Sequence, residues 1–137
     1  MSHLSINHRQ IELVQRSFTQ VAPHAVSCSA AFYRRLFELD PSLKALFKND
    51  IHVQGVMLMK VLAMAVNSLY DLDSIADDLR ILGARHVGYG VQRAHYKIVE
   101  KALIMMLQDV QGETFSKELE VAWQQVFRCI SRLMRDE

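Results

Sequence analysis

Residues 82–91 read LGARHVGYGV, and the histidine in this run decides how the whole chain is read. Ile75, Leu79, Leu82 and His86 stand at i, i+4, i+7 and i+11, which is one narrow stripe of a helix. Arg80 and Arg85 fall on other faces. His86 therefore looks inward from an apolar stripe, just before Gly88 and Gly90 end the helix. An imidazole placed there needs a partner. It is either satisfied within the core or bound to something that the core encloses.

The rest of the chain keeps the helical period. Two prolines and five glycines in 137 residues leave few breaks, and no strand-like alternation, repeat or low-complexity segment occurs. The spacing predicts helices over about residues 5–21, 24–39, 51–69, 93–110 and 116–135, with DLDS at 71–74 opening the helix that carries His86. Asp40-Pro41 closes the second helix and starts a short helical turn, because proline suits a first helical position but not an interior one. The helix from Ile51 is apolar nearly all round. Only Lys60 and Asn67 mark a thin polar stripe, so burial on several sides is expected. The class is all-α, six to eight helices with short connections, forming one domain over residues 1–137.

Composition narrows the function classes. Half of the residues are hydrophobic and the formal net charge is +1, so neither nucleic acid nor an anionic membrane is expected as a partner. Arg34 and Arg35, and the series Arg128, Arg132 and Arg135, read as solvated helix faces. Cys28 and Cys129 are too few and too far apart for a disulfide scaffold or a CxxC metal site, and suit reduced, mostly buried thiols. The opening MSHLSINHRQ lacks an apolar signal core, and the apolar stretch 53–66 is too short to span a bilayer and is interrupted by Gln54 and Lys60. A soluble, cytoplasmic protein is expected.

Enzyme motifs are mostly missing. There is no GxGxxG, P-loop, HExxH, GxSxG or CxxCH. His3, His8, His24, His52, His86 and His95 include no i, i+4 pair that would chelate zinc from one helix. One inward histidine suits a metal that needs a single protein ligand because a macrocycle fills its in-plane positions, and haem iron is such a metal. Taken alone, such a histidine is more often a satisfied core residue.

Its context changes that balance. FYRRLFELDPSLKALF (32–47), HVQGVMLMKVLA (52–63) and LGARHVGYGVQRAHYKIV (82–99) resemble the globin family. The likeness is strongest to bacterial single-domain globins and the haem domain of flavohaemoglobins, with neuroglobin similar around the histidine. It runs through essentially the whole chain. Pro41 opens the short third helix, Phe47 follows six residues later, Gln54 stands near the start of the buried helix, His86 precedes YGV, and Trp123 lies in the last helix.

The resemblance implies a globin fold around haem b, non-covalently held because CxxCH is absent. It makes His86 the proximal iron ligand and Phe47 the ring wedged against the haem face, although Phe47 also fits an ordinary core position. Leu58 would shield bound gas on the distal side, and Val91 and Tyr96 would wall the proximal side, where Tyr96 also fits core packing. Tyr33 lies on an apolar stripe between Ala30 and Phe37, so its hydroxyl enters the interior. Gln54 heads a face continued by Leu58, Val61, Leu62 and Ala65, or else faces solvent in a first helical turn. In the family these two residues sit over the sixth coordination site, each donor worth roughly 1–2 kcal/mol to bound oxygen. His52 is on another face and is not expected to ligate.

Two departures stand out. Met57 occupies a position where many relatives carry a lysine or arginine for a haem propionate. Tyr96 matches a tyrosine that flavohaemoglobins place beside the proximal histidine, but its acidic partner could only be Glu137, at the frayed chain end. The resemblance implies dioxygen, nitric oxide and carbon monoxide as ligands and nitric-oxide dioxygenation with Tyr33 and Gln54 as the catalytic pair. A separate reductase is expected, since the chain stops after its last globin-like helix, and the protein is expected to be a monomer or weak homodimer. Reversible oxygen storage or delivery, gas sensing, and a cofactor-free helical interaction module are the other readings.

Overall fold

Local capping chemistry sets where the helices begin. In the computed structural model, which describes residues 6–47 and 50–135, Asn7 accepts a hydrogen bond from the Gln10 backbone N–H at 2.8 Å. Gln10 in return accepts from the Asn7 N–H at 3.2 Å, which closes a capping box ahead of α1 (His8–Val21). The expected start near residue 5 lies outside the described residues. After α2 (Ala25–Leu39), the Asp40 carboxylate accepts from the Ser42 N–H at 3.1 Å and opens a 3-10 turn, Pro41–Leu46. Asp50 caps α3 (Ile51–Asn67) through the His52 N–H at 2.8 Å. Ser116 caps α6 (Lys117–Met134) through the Leu119 N–H at 3.1 Å.

The segment before His86 differs from expectation in detail. Leu72–Ile75 is a separate 3-10 turn, and α4 (Ala76–Gly88) starts only after it. Ser74 Oγ donates to the Asp71 carbonyl at 2.7 Å, a local bond that holds the tighter turn. α5 (His95–Gln111) also begins later than expected, because the Gln92 N–H bonds to His95 Nδ1 at 2.9 Å and keeps residues 92–94 in a turn. Helices, turns and loops make up the described residues. The fold is the expected all-α one.

Packing then divides the helices into two groups. α2 lies across α5, and the Arg35 guanidinium grips the Asp109 carboxylate between them, at 2.9 Å through Nε and 2.8 Å through Nη2. Arg35 is thus a clamp rather than a solvated face. The same hydrogen bond holds the Asp109 carboxyl below the usual carboxylate range. α1 and α6 meet around Trp123, which is 1% exposed. Its Nε1–H donates to Ser17 Oγ at 3.0 Å, Ser17 Oγ donates to Gln111, and Gln111 Nε2 donates to Gln20 at 3.0 Å. This polar chain leads from the core to the surface and satisfies the indole N–H of the largest buried side chain.

α3 leans on α1 and α2, whereas α4 leans on α6. The two helices therefore stand on different supports. The expectation that α3 is buried on several sides holds only for part of it. Gly55, Met59, Leu62, Ala65 and Val66 are buried, while Val53, Val56 and Met57 are 57%, 56% and 53% exposed. Val87 and Tyr89, at the end of α4, are exposed as well. No helix among the described residues is long and apolar enough to cross a membrane.

Candidate functional site

His86 shows the clearest chemistry. Its ring is half-buried, and Nδ1 lies 2.7 Å from the Leu82 carbonyl oxygen, one turn earlier on α4. A carbonyl only accepts, so the ring proton belongs on Nδ1, and Nε2 is left with a bare lone pair. That is the tautomer a metal-binding imidazole needs, with its orientation fixed by the backbone. The helix then ends firmly. The His86 carbonyl accepts from the Tyr89 N–H at 3.1 Å and from the Val91 N–H at 2.9 Å. Gly90 makes the turn possible with φ 94°, a value that side chains resist.

On the α2 side Tyr33 is 6% exposed. Its ring meets Phe32, Phe37 and Phe47 at centroid distances of 5.0, 6.0 and 5.4 Å, and Phe37 and Phe47 meet at 5.6 Å. Phe47 thus joins an aromatic cluster that holds the tyrosine in place. Burial pushes the Tyr33 phenol up to about 12, so it remains a protonated donor at neutral pH. No buried side-chain polar atom among the described residues lacks a partner, and the Tyr33 hydroxyl makes no hydrogen bond among them. The hydroxyl therefore opens onto accessible space.

Gln54 stands in the first turn of α3, half-buried, with its N–H bonded to the Asp50 carbonyl at 3.0 Å. Its side-chain amide makes no hydrogen bond among the described residues, and a ligand can take that capacity. The next residue, Gly55, touches α2. A Cβ there would sit 2.7 Å from Ser29 Oγ and 3.8 Å from the Tyr33 ring, so Tyr33 lies beside the turn that carries Gln54. Leu58, one turn on, is half-buried, and His52 is exposed.

Val91 and Tyr96 line a cavity of about 420 Å³ with Met134, Arg80, Arg93 and Arg135. Over the Tyr96 ring lies the Arg135 guanidinium, 5.4 Å from its centroid. Burial raises the Tyr96 phenol, and the Arg135 charge opposes part of that rise. Arg135 was expected on a solvated face, and Glu137 lies outside the described residues. The pairing is tertiary, so nothing in the local pattern pointed to it. Among the described residues no cluster of three His, Cys, Asp or Glu side chains can hold a metal. A single bare imidazole nitrogen suits a metal whose other ligands arrive with it, as in an iron macrocycle.

Known proteins agree with this architecture. A neuroglobin of Dissostichus mawsoni is 30% identical and covers 94% of this chain and 90% of its own length. An anaerobic nitrite reductase of Oryza sativa subsp. indica is 27% identical over 98% of this chain and 97% of its own. A flavohaemoprotein of Xylella fastidiosa is 27% identical over 96% of this chain, which spans only 34% of that protein. Among solved structures, an engineered carbene transferase derived from a protein described as a nitric oxide dioxygenase of Rhodothermus marinus superposes with a TM-score of 0.86, at 25% identity over 95% of this chain and 91% of that one. The globin family profile matches residues 30–134. This chain belongs to the globin family, whose members bind haem.

Proposed function

We propose that the protein is a b-type haem globin that binds dioxygen and nitric oxide and converts them to nitrate, with its electrons supplied by a separate reductase. The observation that carries this reading is the Nδ1 bond of His86 to the Leu82 carbonyl, which leaves Nε2 ready to bind iron. When bound, the haem supplies the gas-binding and one-electron chemistry. The protein's residues do the rest. Tyr33 and Gln54 offer two uncommitted donors to a small ligand in the proposed haem cleft between α3 and α4, and Phe47 and Leu58 keep water away from it.

Overall, dioxygen, nitric oxide and one electron give nitrate, so each turnover needs one electron from outside. The flavohaemoproteins and the dioxygenase-derived structure among its relatives support this chemistry. On the proximal side Tyr96 meets the cation of Arg135, a charge that works against electron donation to iron through His86, so donation is modest and peroxidase activity is weak. The buried thiols of Cys28 and Cys129 suit the reducing cytoplasm.

Two measurements test the reading. His86→Gly should lose haem in the absence of imidazole and regain it when imidazole is supplied; unchanged haem content without imidazole would remove the ligand assignment. Oxygenated protein mixed with nitric oxide should turn over once alone and repeatedly with an added reductase and NADH. Failure of nitric oxide to oxidise it rapidly would leave oxygen storage, delivery or sensing as the function.

A further inference from the structure

α3 and α4 are each seated through a glycine that has no room for a side chain. At Gly55 the obstacle is the Ser29 side chain, 2.7 Å from a built Cβ. At Gly83 the obstacle is backbone. A Cβ there would overlap the Met134 carbonyl oxygen and lie 2.6 Å from its carbonyl carbon and 3.0 Å from its Cα. The last turn of α6 therefore rests directly on the main chain of α4. A side chain turns aside; a helix backbone does not.

Gly83 also occupies a sensitive place on α4. It follows Leu82, whose carbonyl orients the His86 ring, and precedes His86 by three residues. Ala84, Arg85, Val87 and Gly88 around it are exposed, so little else anchors this end of the helix. α4 packs chiefly on α6. Gly88 offers a contrast on the same helix, since a Cβ there would meet nothing within 4 Å.

We infer that Gly83 is a positioning residue: its bare backbone lets α4 sit on the end of α6, and this seat sets how far His86 Nε2 projects into the cleft. The inference rests on the haem reading above. A methyl group at residue 83 forces α4 and α6 apart by about 1.5 Å or more before ordinary contact returns, and the displacement carries both His86 and the Leu82 carbonyl with it.

The experiment compares wild type, Gly83→Ala and Gly88→Ala as full-length, haem-loaded proteins. The readouts are the iron–histidine stretching frequency of the ferrous protein, its ferric/ferrous midpoint potential and its carbon monoxide association rate. Gly83→Ala should shift the frequency and the potential and change the rate by up to about a hundredfold, the order expected when a reacting group is misplaced by about 1 Å. Gly88→Ala should match wild type in all three. If Gly83→Ala keeps too little haem to measure, free imidazole decides: a Gly83→Ala protein with wild-type helix content that takes up haem when imidazole is supplied supports the seat, because only the reach of His86 is lost, and no uptake with imidazole overturns it. A Gly83→Ala protein that is less stable to urea but has an unchanged iron–histidine frequency would make the contact purely structural and also overturn it. If wild type takes up no haem through His86, the haem reading fails instead.

Discussion

Replacing Tyr33 with phenylalanine removes one oxygen atom and leaves the ring against Phe32, Phe37 and Phe47. The phenol is raised by burial from 10.0 to about 12, so the folded chain holds that proton more tightly than the unfolded chain does. Linkage gives the sign. The stabilisation is fully present below about pH 10, the unfolded value, and is lost as the pH rises through about 12, the folded value. Two pKa units correspond to about 2.7 kcal/mol. Urea unfolding of wild type and Tyr33→Phe, both carbon monoxide-bound, should be followed from about pH 8 to about pH 12. The other three tyrosines and all the lysines are common to both proteins, so their titration cancels in the difference. The difference should move in favour of Tyr33→Phe by about 2–3 kcal/mol across that range. Parallel stability curves, or a phenolate absorbance showing every tyrosine ionised near pH 10, would mean that Tyr33 is solvated and that the donor geometry argued for the cleft is wrong.

The same two donors set ligand release. Tyr33→Phe and Gln54→Leu should each speed oxygen dissociation by about tenfold if each bond contributes about 1.4 kcal/mol, and the double variant should fall short of the product because both touch one small ligand. Stopped-flow displacement by carbon monoxide measures this, and wild-type rates in both single variants would reject the pair. Trp123→Phe keeps an aromatic ring in the core but deletes the N–H that bonds Ser17 at 3.0 Å, which should cost about 1–2 kcal/mol by urea unfolding. Adding Ser17→Ala should then cost less than it does alone; strict additivity would show that the chain through Gln111 is not a unit. Gly90→Ala places a side chain at φ 94° and close to Leu46, so its unfolding free energy should fall by about 1–2 kcal/mol, while Gly88→Ala should not destabilise.

Much of the fold could be read from local chemistry. Pro41, Asp50 and Ser116 mark their boundaries because capping and proline act within a few residues. The boundaries that moved did so where two local solutions compete. DLDS can open an α-helix or close a 3-10 turn, and the Ser74–Asp71 bond decides for the turn. α3 was misread in part for a different reason. Hydrophobic periodicity reports that a face is apolar, and it cannot say whether protein covers that face. Val53, Val56 and Met57 are apolar and exposed, a placement that the pattern alone does not separate from burial.

For the site, the division follows the same physical line. His86 and Tyr33 could be read from their places on inward apolar stripes, whereas Phe47 was carried by the resemblance. The features that govern how they act are carried by backbone and by distant residues. The Leu82 carbonyl is a main-chain atom and leaves no mark in residue identity, yet it selects the tautomer of His86. Arg135 meets Tyr96 across two helices, so its charge reaches the cavity behind α4 although its spacing on α6 suggested solvent. Gly83 is the sharpest case. Inside a helical pattern a glycine reads only as a cost of about 1 kcal/mol against alanine. Against the Met134 carbonyl it is the residue type that fits, because any Cβ would drive two backbones apart. A helix-weakening residue three positions before a ligand-bearing histidine is thus accounted for by the contact it permits, and the same contact links the end of α6 to the position of the imidazole.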